Sequence, residues 1–117
     1  MASYLTGHGF DVLEANFRVT GAELDLVCRD LDGLAFVEVR ARSLGAIEPS
    51  ATITSAKLRR LQRGARAWMT QRRLSPRQAP WRFVVAAVLL DDQGQPATIQ
   101  IIEDPFAYLP EYHHADP

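Results

Sequence analysis

The chain has 117 residues, with 13 Lys and Arg against 14 Asp and Glu and a formal net charge of −1. Its 47% hydrophobic and 23% charged residues are typical of one globular domain and exclude wholesale disorder. No apolar run approaches the ~20 residues that span a bilayer. With no signal-peptide pattern and one cysteine, Cys28, the sequence predicts a cytoplasmic protein without disulfides or a membrane partner.

The spacing of apolar residues predicts one helix end, three strands, a long helix and two further strands. In chain order these are a helix ending near Leu5, strands Phe10–Phe17, Glu23–Arg29 and Leu34–Arg42, a helix over Thr54–Gln71, and strands Phe83–Leu90 and Thr98–Ile102. Phe106–Leu109 is expected to add a helical turn. We predict one domain over residues 1–109, a tail over 110–117, and an α/β fold with a mixed sheet of about five strands flanked by helices.

The small net charge conceals a strong segregation of charge along the chain. Nine basic residues and no acid lie between Pro49 and Leu90. They are Lys57, Arg59, Arg60, Arg63, Arg66, Arg72, Arg73, Arg77 and Arg82. On the long helix, Leu58, Leu61, Ala65 and Trp68 form an apolar stripe. Four arginines on the opposite side of that helix, with Lys57 at the edge of the stripe, predict contacts with nucleic-acid phosphates.

The second hairpin places acids inside strands that are otherwise apolar. Strand alternation predicts that Glu23 and Asp25 share one face, while the leucines on either side of Asp25 share the other. Extending the register from a turn at Asp30–Gly33 sets Asp25 directly opposite Glu38 and Glu23 opposite Arg40. Opposed carboxylates repel and destabilise a hairpin unless a positive charge lies between them.

These two carboxylates predict a metal site. Together with the Val39 carbonyl they would form a hard, oxygen-rich set of ligands that suits Mg²⁺ or Mn²⁺ better than Zn²⁺. Such a metal would polarise a phosphodiester and lower the pKa of an attacking water. The alternative interpretation is the solvent face of an antiparallel sheet, with Glu23 and Arg40 as an ordinary surface ion pair.

A series of motifs resembles the YraN-like family of small bacterial proteins, which is placed in the PD-(D/E)xK nuclease superfamily. The matching segments, in order, are Asn16–Arg18, Gly21–Val27, Arg29–Asp30, Phe36–Ser43, Lys57–Leu61 and Arg82–Val85. The resemblance covers nearly the whole chain up to Phe106 and extends to archaeal Holliday-junction resolvases. It implies a restriction-endonuclease-like fold and Mg²⁺-dependent cutting of DNA, with branched DNA as a candidate substrate and a homodimer expected by analogy.

In that scheme Asp25 and Glu38 are metal ligands, and Glu23 flanks or supports the site. The superfamily's catalytic Lys corresponds to Arg40, which stays protonated and can stabilise charge but cannot transfer a proton. The resemblance also implies a Glu in the first helix, before the stretch matched by Ala2–Leu5, where this sequence begins. Lys57 could reach the carboxylates and partly replace the missing Lys.

Two other hypotheses stay open. One is a nucleic-acid-binding module that keeps the nuclease fold without cutting. The other is a scaffold whose basic helix contacts an acidic protein.

Overall fold

The structure, a computed structural model, describes residues 2–43, 54–75 and 80–103. Its elements in chain order are helix α1 (Ala2–Thr6), strands β1 (Asp11–Val19), β2 (Ala22–Asp30) and β3 (Gly33–Ser43), helix α2 (Ser55–Gln71), and strands β4 (Trp81–Leu90) and β5 (Pro96–Glu103). The predicted order of elements is confirmed. The predicted turn at Phe106–Leu109 and the tail at 110–117 lie outside the described residues.

The predicted bounds of the first strand differ from the structure at both ends, since the strand begins at Asp11. It was expected over Phe10–Phe17, and it runs two residues further, to Val19. The added residue Arg18 pairs across the ladder with Glu23. An apolar pattern cannot show such an extension, because polar cross-strand pairs carry it.

The five strands form one mixed sheet in the order β1-β2-β3-β4-β5. Neighbouring strands are antiparallel except β3 and β4, which are parallel. A parallel pair needs a crossover connection, and α2 lies between these two strands in the chain. The mixed sheet with its helices has the predicted restriction-endonuclease-like α/β fold. No helix in the described ranges is both long and apolar enough to cross a bilayer.

Apolar side chains cover both faces of the sheet. The face that carries α2, here called the α2 face, buries Phe36 and Phe83 against the predicted helix stripe, whose four members are all buried. The opposite face buries Leu5 of α1 together with Val84. Cys28 is fully buried on that face. Burial and the nearby Asp30 carboxylate raise the pKa of its thiol to about 11, so it packs as a small hydrophobic residue.

Three contacts hold α2 in place. Its N-terminus is capped by Thr54, whose Oγ1 accepts a 3.1 Å hydrogen bond from the Lys57 backbone N–H. A Cβ at Gly64 would lie 3.0 Å from Leu24 Cγ, so the glycine lets helix and strand approach closely. The Trp68 indole donates a 3.0 Å hydrogen bond to Glu14 on β1.

Arg82, which belongs to the last of the matching motifs, is a structural clamp. Its guanidinium donates to both Asp30 carboxylate oxygens at 3.2 and 2.7 Å, and its Nε donates to Glu103 at 2.9 Å. Side-chain hydrogen bonds from Arg82 hold the pKa of Asp30 below its ordinary value. The clamp therefore links β2, β4 and β5 across the intervening strand β3.

We expect alanine substitutions at two glycines to distinguish the cost of backbone strain from the cost of a steric collision. Gly33 has φ +123°, and a Cβ there would collide with the Pro80 carbonyl oxygen, whereas Gly94 has φ +76° with nothing within 4 Å of its Cβ position. Gly94→Ala should lower the free energy of unfolding by about 1 kcal/mol, and Gly33→Ala by about 3 kcal/mol or more. Urea unfolding measures both values, and equal losses would contradict the close approach at Gly33.

Candidate metal centre and nucleic-acid interface

Asp25 lies where the regular alternation of β2 breaks. Leu24 packs in the cluster on the α2 face, whereas Leu26 packs in the cluster on the opposite face. Residues two apart in a regular strand share a face, so the chain makes an irregular step at Asp25. Asn16 lies across from Asp25 on β1 and has a left-handed φ of 55°. Neither residue is paired in the β1–β2 ladder, although their neighbours on both sides are. The prediction that Leu24 and Leu26 share a face is therefore wrong.

The Asp25 carboxylate forms a hydrogen bond to β3 at the point where backbone pairing between β2 and β3 ends. The β2–β3 ladder ends at the pair Leu26–Val37. Beyond it, Asp25 Oδ2 accepts a 2.8 Å hydrogen bond from the Val39 backbone N–H. This bond holds the carboxylate near Glu38, close enough to raise the pKa of the Glu38 carboxyl group. The two acids meet through side-chain reach and not, as predicted, as directly opposed ladder residues.

Glu38 is held between a like charge and an opposite one. Its side chain is 12% exposed, and its Oε2 lies 2.7 Å from Lys57 Nζ. Burial raises the pKa of Glu38 above its ordinary value, and the neighbouring Asp25 carboxylate raises it further. Lys57 opposes both effects without cancelling them. The site therefore places two carboxylates together at an energetic cost that one ammonium group only partly offsets.

Lys57 joins the carboxylates because of its position on α2. It follows the Thr54 cap by three residues and precedes the buried Leu58, so it stands at the edge of the face that packs on the sheet. Its side chain is about one third exposed. From the sequence it was assigned to phosphate binding, with contact to the carboxylates as a second option, and the structure places it on Glu38.

The two other predicted site residues lie on either side of this pair. Arg40 pairs in register with Ala87 on β4 and lines the same groove as Glu38 and Lys57. Glu23 does not face Arg40 as the extended register predicted. It forms a 3.6 Å ion pair with Arg18 across the β1–β2 ladder, and both side chains are largely exposed. The irregular step at Asp25 is the reason that the simple register fails there.

Two open grooves meet at the N-terminal half of α2. The first, of about 490 Å³, is lined by Arg18, Gly21 and Glu23 from the β1–β2 end of the sheet. The second, of about 410 Å³, is lined by Glu38, Arg40 and Arg42 from β3. Lys57 and Arg60 line both grooves.

The outer side of α2 is basic, as predicted. Arg59, Arg60, Arg63 and Arg66 are all exposed. A Cβ at Gly21 would lie 2.5 Å from an Arg63 guanidinium nitrogen, so the hairpin glycine leaves room for that side chain. The arginines span about two turns of helix, a length suited to neighbouring phosphates.

The donor set fits a hard divalent cation. Two neighbouring carboxyl groups, one with a raised pKa, provide the negative charge that such a cation neutralises. Within the described ranges no group of three His, Cys, Asp or Glu residues surrounds a common point. Asp25 and Glu38 therefore offer two side-chain ligands, and backbone oxygen and water would have to complete the set.

Comparison with known proteins assigns the chain to a family. The sequence profile of "Uncharacterised protein family UPF0102" matches residues 1–88. The chain belongs to the UPF0102 family. It is 43% identical over 107 residues to the UPF0102 protein of Trichlorobacter lovleyi, covering 90% of this chain and 82% of that relative.

Two further UPF0102 proteins are similar to the chain. The Alkalilimnicola ehrlichii protein is 46% identical over 86 residues, covering 70% of this chain and 65% of that relative. The Geotalea uraniireducens protein is 36% identical over 104 residues, covering 88% and 80%. The family resemblance inferred from the motifs is confirmed by these matches.

The raised pKa of Glu38 makes a prediction about stability. Because its folded pKa lies above the unfolded value of about 4.3, Glu38 adds to stability at lower pH, and this contribution is lost as the pH rises through the folded value. Glu38→Gln should therefore be more stable than wild type at neutral pH, by about 1 kcal/mol, with the gap closing near pH ~4.

Thermal unfolding at both pH values measures the effect. Glu23→Gln is the matched control, because Glu23 is an exposed acid with its own cationic partner, and it should change little at either pH. A Glu38→Gln variant that is less stable than wild type at neutral pH would show that the Lys57 ion pair outweighs burial and repulsion.

Proposed function

We propose that this UPF0102 protein is a metal-dependent endonuclease that hydrolyses phosphodiester bonds in nucleic acid. The observation that carries the proposal is that the Asp25 carboxylate, bonded to the Val39 N–H, neighbours the Glu38 carboxyl group in a groove lined by Arg40 and Lys57. An ordinary solvated sheet surface would not bring two acids together in a half-buried position.

Asp25, Glu38 and the Val39 carbonyl are the candidate ligands for Mg²⁺ or Mn²⁺. When bound, such an ion supplies a Lewis acid for the phosphodiester and a water of lowered pKa. The hydrogen bond from the Val39 N–H fixes one Asp25 oxygen and orients the other. Glu38 gains most from the added positive charge, because burial and Asp25 disfavour its ionised form.

Arg40 and Lys57 together provide the charge stabilisation and proton exchange that one lysine provides in the superfamily pattern. The guanidinium of Arg40 stays protonated and can donate hydrogen bonds to phosphate oxygens as negative charge develops. The ammonium of Lys57 can in addition exchange a proton, which a guanidinium cannot. Its contact with Glu38 places an ammonium group beside the carboxylates from helix α2, whereas the lysine of the superfamily pattern would lie on β3 at the position of Arg40. Glu23, in the neighbouring groove, supports the site through its ion pair with Arg18.

The arginines on the outer side of α2 are proposed to hold the backbone of the substrate. Their positive charges have no acid among the α2 residues to neutralise them. DNA, in particular branched DNA, is the substrate that the family resemblance favours. A homodimer would let two such sites act on opposite strands.

One observation favours a second candidate function, a binding module that has lost cutting. The described residues provide only two acids at the site, and the position two residues after Glu38 is Arg40 in place of Lys. Phosphate binding survives both changes, because it needs positive charge and not proton transfer.

Titration calorimetry with Mn²⁺ tests the metal site. Wild type should bind with measurable heat, and Asp25→Asn should bind at least tenfold more weakly, because half of the carboxylate charge is removed. Asp92→Asn, an exposed acid in the β4–β5 turn, is the control and should bind like wild type. Equal heats for wild type and Asp25→Asn would exclude a site at Asp25.

Nicking of plain and branched DNA separates the two functions. Asp25→Asn and Lys57→Met should each lower the rate by about a hundredfold or more, whereas Arg40→Lys should keep or raise it. A wild-type protein that binds DNA but does not nick it, with Arg40→Lys equally inactive, would support the binding module and contradict the endonuclease.

The basic side of α2 makes a prediction about binding. In an Arg59/Arg63/Arg66→Ala triple variant, affinity for DNA should fall and its salt dependence should weaken by roughly three counterions, because each lost phosphate contact removes about one. Anisotropy titrations over a range of salt concentrations measure the slope. An unchanged slope would show that this side of α2 does not contact the backbone.

A further inference from the structure

The two grooves beside α2 form one path with a shared wall. Lys57 and Arg60 line both grooves, and Glu38 lines the second. The path therefore leads from the β1–β2 turn, past these two cations, to the end of β3. Of the two carboxylates at the candidate metal site, Glu38 lines this path, next to Lys57.

The size of each groove limits what it can hold. At about 490 and 410 Å³, each lies at the lower end of the range for small-molecule sites and has room for one nucleotide-sized group. A ligand that fills both must carry a link between two such groups. That link would lie at the wall formed by Lys57 and Arg60, where two cations favour an anionic connection.

The lining indicates which part of a nucleotide is recognised. In each groove the cationic side chains outnumber the acids. Besides the two shared cations, the first groove has Arg18 and the second has Arg40 and Arg42. The described lining includes no aromatic side chain, and aromatic platforms are what proteins use to stack single-stranded bases. Charge without stacking groups favours the sugar–phosphate backbone over the bases.

We propose that the two grooves are successive subsites for a sugar–phosphate backbone, with one nucleotide in each groove and the intervening phosphodiester at the Lys57–Arg60 wall beside Glu38, bound without reading base identity. This inference deepens the proposed function and rests on it for the class of ligand. It assigns Arg60 a positioning role at the junction of the two subsites and predicts that an internal phosphodiester binds better than a terminal phosphate.

Anisotropy titrations in EDTA test this proposal without metal or cutting. Labelled thymine, adenine and abasic oligonucleotides of equal length should bind within about threefold of one another, since no base is stacked. A matching duplex is titrated in parallel. The comparison shows whether the grooves bind the backbone of a free strand or that of one strand within a duplex. A mononucleotide should compete at least tenfold less well than a dinucleotide, because it fills one groove.

Substitutions at the shared wall locate the path. Arg60→Ala should weaken binding about tenfold and Arg60→Lys by much less, because the charge is kept. Arg29→Ala is the matched control, an exposed arginine at the far end of β2, and should change affinity less than twofold. Both alanine variants remove exposed side chains, and thermal unfolding verifies that each is folded.

Two results would overturn the proposal. Abasic oligonucleotides that bind more than about tenfold more weakly would show that bases are stacked or read. Equal losses for Arg60→Ala and Arg29→Ala would show attraction by overall charge and not by these grooves. These titrations contain no metal, so either result would contradict the subsites and not the endonuclease proposal. Failure to bind metal or to nick DNA would contradict the endonuclease proposal and not the subsites.

Discussion

The hydrogen bond from the Val39 backbone N–H to the Asp25 carboxylate sets the arrangement of the two acids in the candidate site. It forms at the point where β2 leaves its ladder with β3, and it substitutes a side chain for a backbone acceptor. The bond fixes one oxygen of this half-buried carboxylate at the β3 backbone. The carboxylate is therefore held near Glu38, and the resulting burial and repulsion raise the pKa of the Glu38 carboxyl group. The hairpin keeps this unfavourable pair because the rest of the sheet is apolar and well packed on both faces.

Helix α2 couples the core to the site. The side that buries Leu61 and Trp68 fixes the rotation of the helix, and this rotation sets Lys57 on Glu38 and leaves the arginines outside. Gly64 allows the close approach to β2, and the indole of Trp68 finds its acceptor on β1. The packing of the core and the arrangement of the candidate site are therefore linked through one helix orientation. A change that tilts α2 would move Lys57 away from the carboxylates even if neither acid were touched.

Much of this fold could be predicted from the sequence, because the period of apolar residues reports directly which positions are buried. The helix stripe and the doubly covered strand β4 are examples. The acids Asp25 and Glu38 could be recognised as a pair from their place in apolar strands. Their geometry could not, because the irregular step at Asp25 depends on a bond to a residue on another strand, and no periodicity records it. The partner of Glu38 was uncertain for the same reason, since Lys57 reaches it only once α2 is packed on the sheet.

Paramagnetic NMR tests directly whether one divalent cation binds between Asp25 and Glu38, as we propose. Mn²⁺ added in small amounts broadens the amide signals nearest to it. We expect the signals of Asp25 and Val39 to lose intensity first in the wild type, with no comparable effect in Glu38→Gln. Broadening that begins at the exposed acids of the β4–β5 turn, or that appears equally over all acidic surfaces, would contradict the claim.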